Sequence, residues 1–366
     1  MILHDMKHGH SVIRSKLFTR PLTIGLLSIT AALASHTAPA QHTTDHHSVS
    51  NHAPIGVMGD HLHKTGEWML SYRYMNMRME DNLRGSNSVS PEEIVSAGLG
   101  LRVVPVEMST EMHMFGAMYA PSDKLTLMLM VNYLEKEMDH VTFQGGSGTV
   151  RRGVFTTETS GLGDTKLAAL YGVYNKDIHK VHLNFGLSIP TGSIDETDQI
   201  LTPMGTTPSP RLPYPMQLGS GTYDLEPGLT YLGVKGKWDW GSQLKLTIRL
   251  DDNGEGYALG DKLMLTSWGS YRLADWLTGS LRLSYTDSDD INGRDQNINL
   301  PVQTARPENF GGEQLELAVG LNLIGLEGAQ LGHRVALEYS NTLEQHANGI
   351  QMEMQDMLSV GYQYSF

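Results

Sequence analysis

The chain has 366 residues, a formal charge of −13 and no cysteine, with 20 methionines and 16 histidines. The missing cysteines exclude a disulfide framework and thiolate metal sites. The acidic balance argues against nucleic acid as a partner.

Lys7, Arg14, Lys16 and Arg20 precede an apolar run from Leu22 to Ala34, followed by the small-residue stretch Ala38-Pro39-Ala40. This is the order of a secretory signal peptide, residues 1–40, cleaved after Ala40. A membrane-anchor helix needs about 20 apolar residues and is the weaker reading. Cleavage removes four basic residues and one acid, Asp5, taking the charge from −13 to −16. The exported chain holds no uncharged apolar run long enough for a transmembrane helix.

Residues 41–66 form a periplasmic amino-terminal segment rich in histidine: His42, His46, His47, His52, His61 and His63. Such a tract captures Cu(II), Zn(II) or Ni(II) if its imidazoles converge, and is a solvated leader if they do not. Asp60-His61-Leu62-His63 is its tightest cluster. A third reading folds Ile55 to Met58 back as a plug at the periplasmic mouth.

From residue 67 onward, period-two alternation recurs in stretches of the length that a tilted membrane strand requires, about 9–11 residues. In chain order these run Glu67 to Met79, Glu111 to Ala120, Lys124 to Leu134, Gly163 to Tyr174, Lys180 to Ile189 and Thr222 to Val234. Ser242 to Asp251, Asp261 to Leu273, Trp276 to Asp287, Glu313 to Ile324, Gln330 to Thr342 and Asp356 to Phe366 complete the set. The last is among the clearest, with Leu358, Val360, Tyr362, Tyr364 and Phe366 on one side and Ser359, Gly361, Gln363 and Ser365 on the other. Glu111 to Ala120 carries bulky residues on both parities, so its faces stay open. Short connections (Pro121-Ser122-Asp123, Ala274-Asp275) alternate with long ones (Glu80 to Thr110, Glu135 to Leu162, Pro190 to Gly221, Leu343 to Gln355), as periplasmic turns and surface loops do in a barrel. The predicted fold is therefore all-β: a transmembrane antiparallel up-and-down β-barrel of about 12 strands, residues 67–366, after a cleaved signal peptide. A soluble sandwich or lipocalin-like barrel is the alternative. Aromatics at strand ends, such as Trp68, Tyr271, Trp276 and Tyr362, speak for interfacial girdles in the outer membrane of a Gram-negative envelope.

The segments SGLGDTKLAALYGVY (Ser160 to Tyr174), LNFGLSIPTGS (Leu183 to Ser193) and GSGTYDLEPGLTYLG (Gly219 to Gly233) resemble the outer-membrane transporter family associated with the meta-pathway of phenol degradation, itself distantly similar to long-chain fatty-acid channels. The resemblance spans about Ala53 to Phe366, and GSGTYD is its most specific part. It implies a barrel that passes small, often hydrophobic compounds, and it brings no catalytic motif.

If the oily rows face lipid, the opposite rows face the lumen and include Arg73, His182, Asp224, Glu226, Arg249, Arg272 and Arg282, with Lys166, Asn184, Lys245, Glu316 and Glu338. They read either as charges paired across a narrow interior or as a constriction that selects solutes. Asp224 and Glu226 stand out beside Gly219 and Gly221, where the backbone could kink. Met75 and Met77 share a parity with Arg73, and Met128 and Met130 one with Asn132. Luminal thioethers would coordinate a soft ion such as copper(I) or serve as flexible apolar lining. The candidate metal residues are thus His46, His47, His61, His63, Met75, Met77, Met128 and Met130, with copper the only candidate cofactor. Neither Gly-x-Ser-x-Gly nor His-Glu-x-x-His occurs, so no catalytic site is expected. The acidic stretches Asp251-Asp252 and Asp287 to Asp295 lack the spaced calcium-loop pattern. The function expected is a channel or transporter for small, hydrophobic or aromatic molecules, the alternatives being a copper-binding envelope protein and a structural barrel with surface-binding loops. Its partners would be outer-membrane lipid, the solute, and the barrel-assembly machinery that engages the strand ending in Phe366.

Overall fold

A computed structural model describes residues 52–366, Glu327 excepted. The signal-peptide stretch, His42, His46 and His47 lie outside the described residues.

The strands longer than two residues are β1 (Trp68–Gly85), β2 (Val103–Ser122), β3 (Leu125–Phe143), β4 (Arg151–Leu162), β5 (Thr165–Lys176), β6 (His179–Ile189), β7 (Asp224–Lys235), β8 (Trp238–Arg249), β9 (Lys262–Ala274), β10 (Leu277–Ser288), β11 (Gly312–Ile324) and β12 (His333–Ser365). Eleven of them form one antiparallel ring, each paired with its neighbours in sequence, and β12 pairs with β1 to close it. β4 stands off this ring and pairs with β3 alone among the described residues.

An odd number of strands cannot close an all-antiparallel ring, and β12 resolves the parity. It pairs antiparallel with β11 through Arg334 to Ala347, and with β1 through Ala347 to Ser365. Its 33 residues are far longer than a membrane crossing needs. The Asn341 amide donates to Gln355 O at 3.0 Å, and Ser365 N donates to Gly332 O at 3.0 Å, so the strand returns along itself. The ring is crossed twelve times, the even count that the sequence rhythm predicts. Trp68 and Phe366 exchange both backbone bonds at 2.9 Å, sealing the seam where the barrel's first and last residues meet.

The packing is inverted relative to a soluble protein, and alternation is the cause. On the returning half of β12, Leu358, Val360 and Tyr362 are 37%, 37% and 43% exposed, whereas Ser359 and Gln363 are 1% and 8% exposed. The outward rows of the other strands are equally oily: Leu127 and Leu129, Leu281 and Leu283, Leu317 to Leu323 in steps of two. The buried rows carry Thr126, Asn132, Asn184, Thr230, Gln243, Arg282 and Glu338. Trp68, Trp238, Tyr271 and Trp276 sit exposed at the short-turn end, as an interfacial girdle does. The molecule is an outer-membrane β-barrel.

At that end hairpins close in two residues, as at Asp177-Ile178 and Gly236-Lys237, where Asp177 and Gly236 take positive φ. At the other end the structure departs from the predicted boundaries. β1, β2 and β3 run to 18, 20 and 19 residues, roughly twice a membrane crossing, and the supposed loop from Glu135 to Leu162 contains β4. The supposed loop Leu343 to Gln355 is continuous strand within β12. Beyond the bilayer a strand no longer needs one apolar face, so its sequence stops advertising it.

The long connections fold over this extended rim. A helix, α1 (Pro91–Ser96), opened by a Ser90/Glu93 capping box, buries Ile94 against Val104, Val141 and Phe143. The connection after β6 lays Ile200, Leu212 and Met216 on Met108, Met138 and Met352. Tyr214 joins Tyr257, Ile291, Ile298 and Val302 in a further apolar cluster.

Candidate functional site

The interior holds three features: a plug, a set of paired charges and a methionine wall. The plug is residues 52–66. Leading into β1 from the short-turn end, it turns back into the lumen, where Ala53, Ile55, Val57, Asp60 and His63 are buried. For residues 52–66, the expectation of a periplasmic segment therefore gives way to one packed inside the barrel. Apolar anchors explain it: Ile55 lies against Gly361, Leu62 against Gly172, and Val57 packs with Leu232 and Trp268. Wall side chains then satisfy its backbone. Arg334 Nη2 donates to Ala53 O at 2.6 Å, Gln243 Nε2 to Met58 O at 3.0 Å, and His182 Nε2 lies 2.9 Å from Gly59 O. His63 N donates to Thr126 Oγ1 at 3.0 Å. Gly56 rests on the Arg282–Glu338 ion pair so closely that an added Cβ would stand 2.2 Å from Glu338 Oε1.

The charged residues sit mainly on β5 and β7 to β12. Glu226 receives Lys166 and Lys245, each at 2.6 Å. Arg249 pairs with Asp224, whose other oxygen accepts from Thr222 Oγ1 at 2.6 Å. Arg282 bridges Glu316 at 2.8 Å and Glu338 at 2.7 Å. Arg73 is half-buried on the inward row of β1, level with Met114 and Gly361. Arg272 lies near the β9–β10 turn, its backbone N donating to Lys237 O at 2.9 Å. Asp224, Glu226, Arg249 and Arg282 are thus brought into ion pairs, and His182 serves the plug. Buried pairs of this kind fix geometry more than they add stability, since removing one partner strands a charge out of water.

The opposite side of the lumen is lined by sulfur. Met112, Met114 and Met118 take the inward row of β2 while Phe115 points to lipid, which settles the faces that the sequence left open. Across the ladders Met69 pairs with Met118, Met75 with Met112, Met77 with Met357, and Met118 with Met128. Met75, Met77, Met128 and Met130 are therefore part of one wall on β1, β2, β3 and the end of β12.

Above the plug, the three segments that carry the family resemblance converge at the interruption between β4 and β5. Asp164 is the hub: its Oδ1 accepts from Gly192 N at 3.1 Å, and its Oδ2 from Ser220 N at 2.8 Å and Ser220 Oγ at 2.7 Å. Gly192 and Gly219 touch backbone to backbone, and a Cβ on Gly192 would lie 2.7 Å from Gly219 Cα. Ser160 to Asp164, Thr191 to Ser193 and Gly219 to Asp224 are thus one structural knot.

Sequence reasoning missed Arg334, Gln243 and Thr126, and it named His52 in the histidine tract without including it among the candidate metal residues. Arg334 was legible in principle, since it shares a parity with Glu338 while Val335, Leu337 and Tyr339 face outward. The others carry no signal until the plug is in place. At the centre of that plug stand His52, Asp60 and His61, with His63 beside them.

Among known proteins, the model of the family described as "Putative MetA-pathway of phenol degradation" matches residues 106–321, more than half of the chain. The crystal structure of the COG4313 outer membrane channel from Pseudomonas putida F1 superposes with a TM-score of 0.56 at 15% identity, covering 85% of this chain and 99% of that one. A Pseudomonas aeruginosa FadL homologue gives 0.41 at 10% identity, over 82% and 89%. No curated protein matches the chain in sequence.

Proposed function

Because the chain belongs to the family described as the putative MetA-pathway of phenol degradation, we propose that this outer-membrane barrel is a channel for small hydrophobic or aromatic molecules. The observation that carries the reading is the methionine wall. Thioether side chains are apolar, polarisable and free to change rotamer, and they contact aromatic rings favourably at about 0.3–1.5 kcal/mol each. Rows of them on four neighbouring strand segments make a surface over which an aromatic solute can slide, whereas the charges across the lumen are held in ion pairs with one another. The Pseudomonas putida protein of the same fold is itself called an outer membrane channel, which agrees with this reading.

The plug is the barrier at the periplasmic end, and passage requires it to shift. Proteoliposomes carrying the purified barrel provide the test, with entry of toluene, phenol and a sugar of similar size followed side by side. Faster entry of the aromatics, reduced when Met112 and Met114 are both changed to Ser, is the expected outcome. Equal rates for all three solutes, indifferent to the methionines, would refute the assignment of solute class.

A further inference from the structure

Four groups on the plug converge without a shared purpose in the channel. His52, Asp60 and His61 each offer one ligand atom, and these atoms all lie within 4.8 Å of one another. The His52 and His61 rings are 4.4 Å apart, and the His61 and His63 rings 4.7 Å. His52 Nδ1, His61 Nε2 and His63 Nε2 are all buried and all lack a hydrogen-bond partner. Leaving a buried polar atom unpaired costs about 1–3 kcal/mol, so three in one cluster is a large penalty for side chains serving only as filler.

The other ring nitrogens of His61 and His63 are held by carboxylates. His61 Nδ1 is 2.9 Å from Asp60 Oδ1, and His63 Nδ1 is 3.4 Å from Glu67 Oε2. A metal-binding histidine characteristically gives one N–H to a carboxylate, which fixes the ring and aims the remaining lone pair at the ion. Here two rings are aimed in that manner, and their free nitrogens are the orphans.

We propose that the plug contains a binding site for one divalent transition-metal ion of borderline softness, Cu2+ or Zn2+, ligated by the unpartnered nitrogens of His52, His61 and His63, with Asp60 and Glu67 as the orienting partners of His61 and His63. Imidazole donors suit these ions, and Cu2+ stands at the top of the affinity order. Tetrahedral ligation at about 2.0–2.1 Å spaces donors by roughly 3.3 Å, so small imidazole rotations close the set. The Arg334 guanidinium opposes a cation here, and the Asp60 and Glu67 carboxylates offset it.

The ligands straddle the loop from Ala53 to Gly59, the same loop whose carbonyls meet Arg334, Gln243 and His182. A bound ion therefore closes that loop on itself and fastens the plug in the shape that the barrel wall accepts. The site is independent of the solute assignment, because it uses none of the methionine wall.

The full-length protein, purified in detergent and stripped with chelator, is titrated with Cu2+ and separately with Zn2+. His42, His46 and His47 offer further imidazoles, so the measurement is made on a variant carrying His42→Ala, His46→Ala and His47→Ala. One equivalent of Cu2+ should bind, with nitrogen hyperfine structure from at least two imidazoles in its electron paramagnetic resonance spectrum. Adding His52→Ala and His61→Ala should weaken it at least 100-fold, and Glu67→Gln roughly 10- to 100-fold. Retained heat-modifiable migration shows that these variants fold. Loss of all stoichiometric binding in the first variant, or a spectrum there without imidazole nitrogen, overturns the site whether or not the later variants fold. Undiminished affinity after His52→Ala and His61→Ala overturns it equally.

Discussion

Replacing Arg334 by Met should loosen the plug without emptying the barrel wall of volume. Four polar contacts tie the plug to the wall: the charged one from Arg334 to Ala53 O, and neutral ones at Met58 O, Gly59 O and His63 N. A neutral bond contributes about 1 kcal/mol net and a charged one about 1.5–3, so the four together supply roughly 5 kcal/mol. Arg334→Met removes the largest. At about 1.4 kcal/mol per tenfold, the open population should rise roughly 10- to 150-fold. The chain has no cysteine, so Val57→Cys gives a single reporter at a buried plug position. The assay compares the rate of maleimide modification of Val57→Cys with and without Arg334→Met in folded, detergent-purified protein. If opening limits labelling, the rate should climb by the same factor. Exposed Arg78, paired with Asp356 at 2.7 Å on the outer rim, is the control, and Arg78→Met should leave the rate within about twofold. A rate unchanged by Arg334→Met would mean that apolar anchoring at Ile55, Val57 and Leu62 carries the plug alone.

Gly56→Val drives a side chain into Glu338 Oε1 and the Arg282 guanidinium, so the plug should be expelled and single-channel conductance in planar bilayers should rise; wild-type conductance would argue against plug and pore sharing this space. Glu226→Gln removes the carboxylate from between Lys166 and Lys245 and should cost about 3–5 kcal/mol in urea unfolding. Adding Lys245→Met should restore part of that, because one stranded cation is then gone. Tyr257, buried in the loop cap, has its phenol pushed up to about 12 by burial, against a partial offset from Asn253. A raised acid pKa favours the neutral form in the folded state, so the cap's stability is intact below pH 10 and declines from pH 10 toward 12, by about 3 kcal/mol in all. Near-ultraviolet circular dichroism between pH 9 and 12 should show that loss, and Tyr257→Phe should remove its pH dependence.

Legibility in the sequence followed the solvent. Wherever a strand has lipid on one side and the interior on the other, as with Leu281 and Leu283 against Arg282, the alternation is forced and both faces could be read from the residues. The same rule made the lumen-facing Asp224, Glu226, Arg249 and Arg282 legible. It failed on Glu111 to Ala120, because methionine is apolar and yet belongs to the interior there; only the ladder with β1 and β3 shows Met112, Met114 and Met118 lining the lumen. It failed again above the bilayer, where β4 and the middle of β12 carry no single oily face. Pairing of the lumen charges was one of two readings that the residues allowed, and its partners were not legible in them. Glu226 meets Lys166 and Lys245 because β5, β6, β7 and β8 are adjacent, a fact of register rather than of composition.

The plug is where local sequence says least and tertiary structure most. Residues 53–66 form no strand, yet Ile55, Val57, Asp60 and His63 are as buried as any core. A segment without secondary structure keeps its backbone groups unsatisfied unless something supplies partners, and the inward rows supply them because they are polar. The inversion that lets the exterior meet lipid also gives the interior enough donors to hold an irregular chain. Arg334, Gln243, His182 and Thr126 come from four different strands, so the plug reads the barrel's whole circumference and cannot bind a partly assembled one. Plug docking must therefore follow barrel closure. Val57→Cys should become protected only after the Trp68–Phe366 seam has formed, and protection that precedes heat-modifiable migration during refolding would contradict this order.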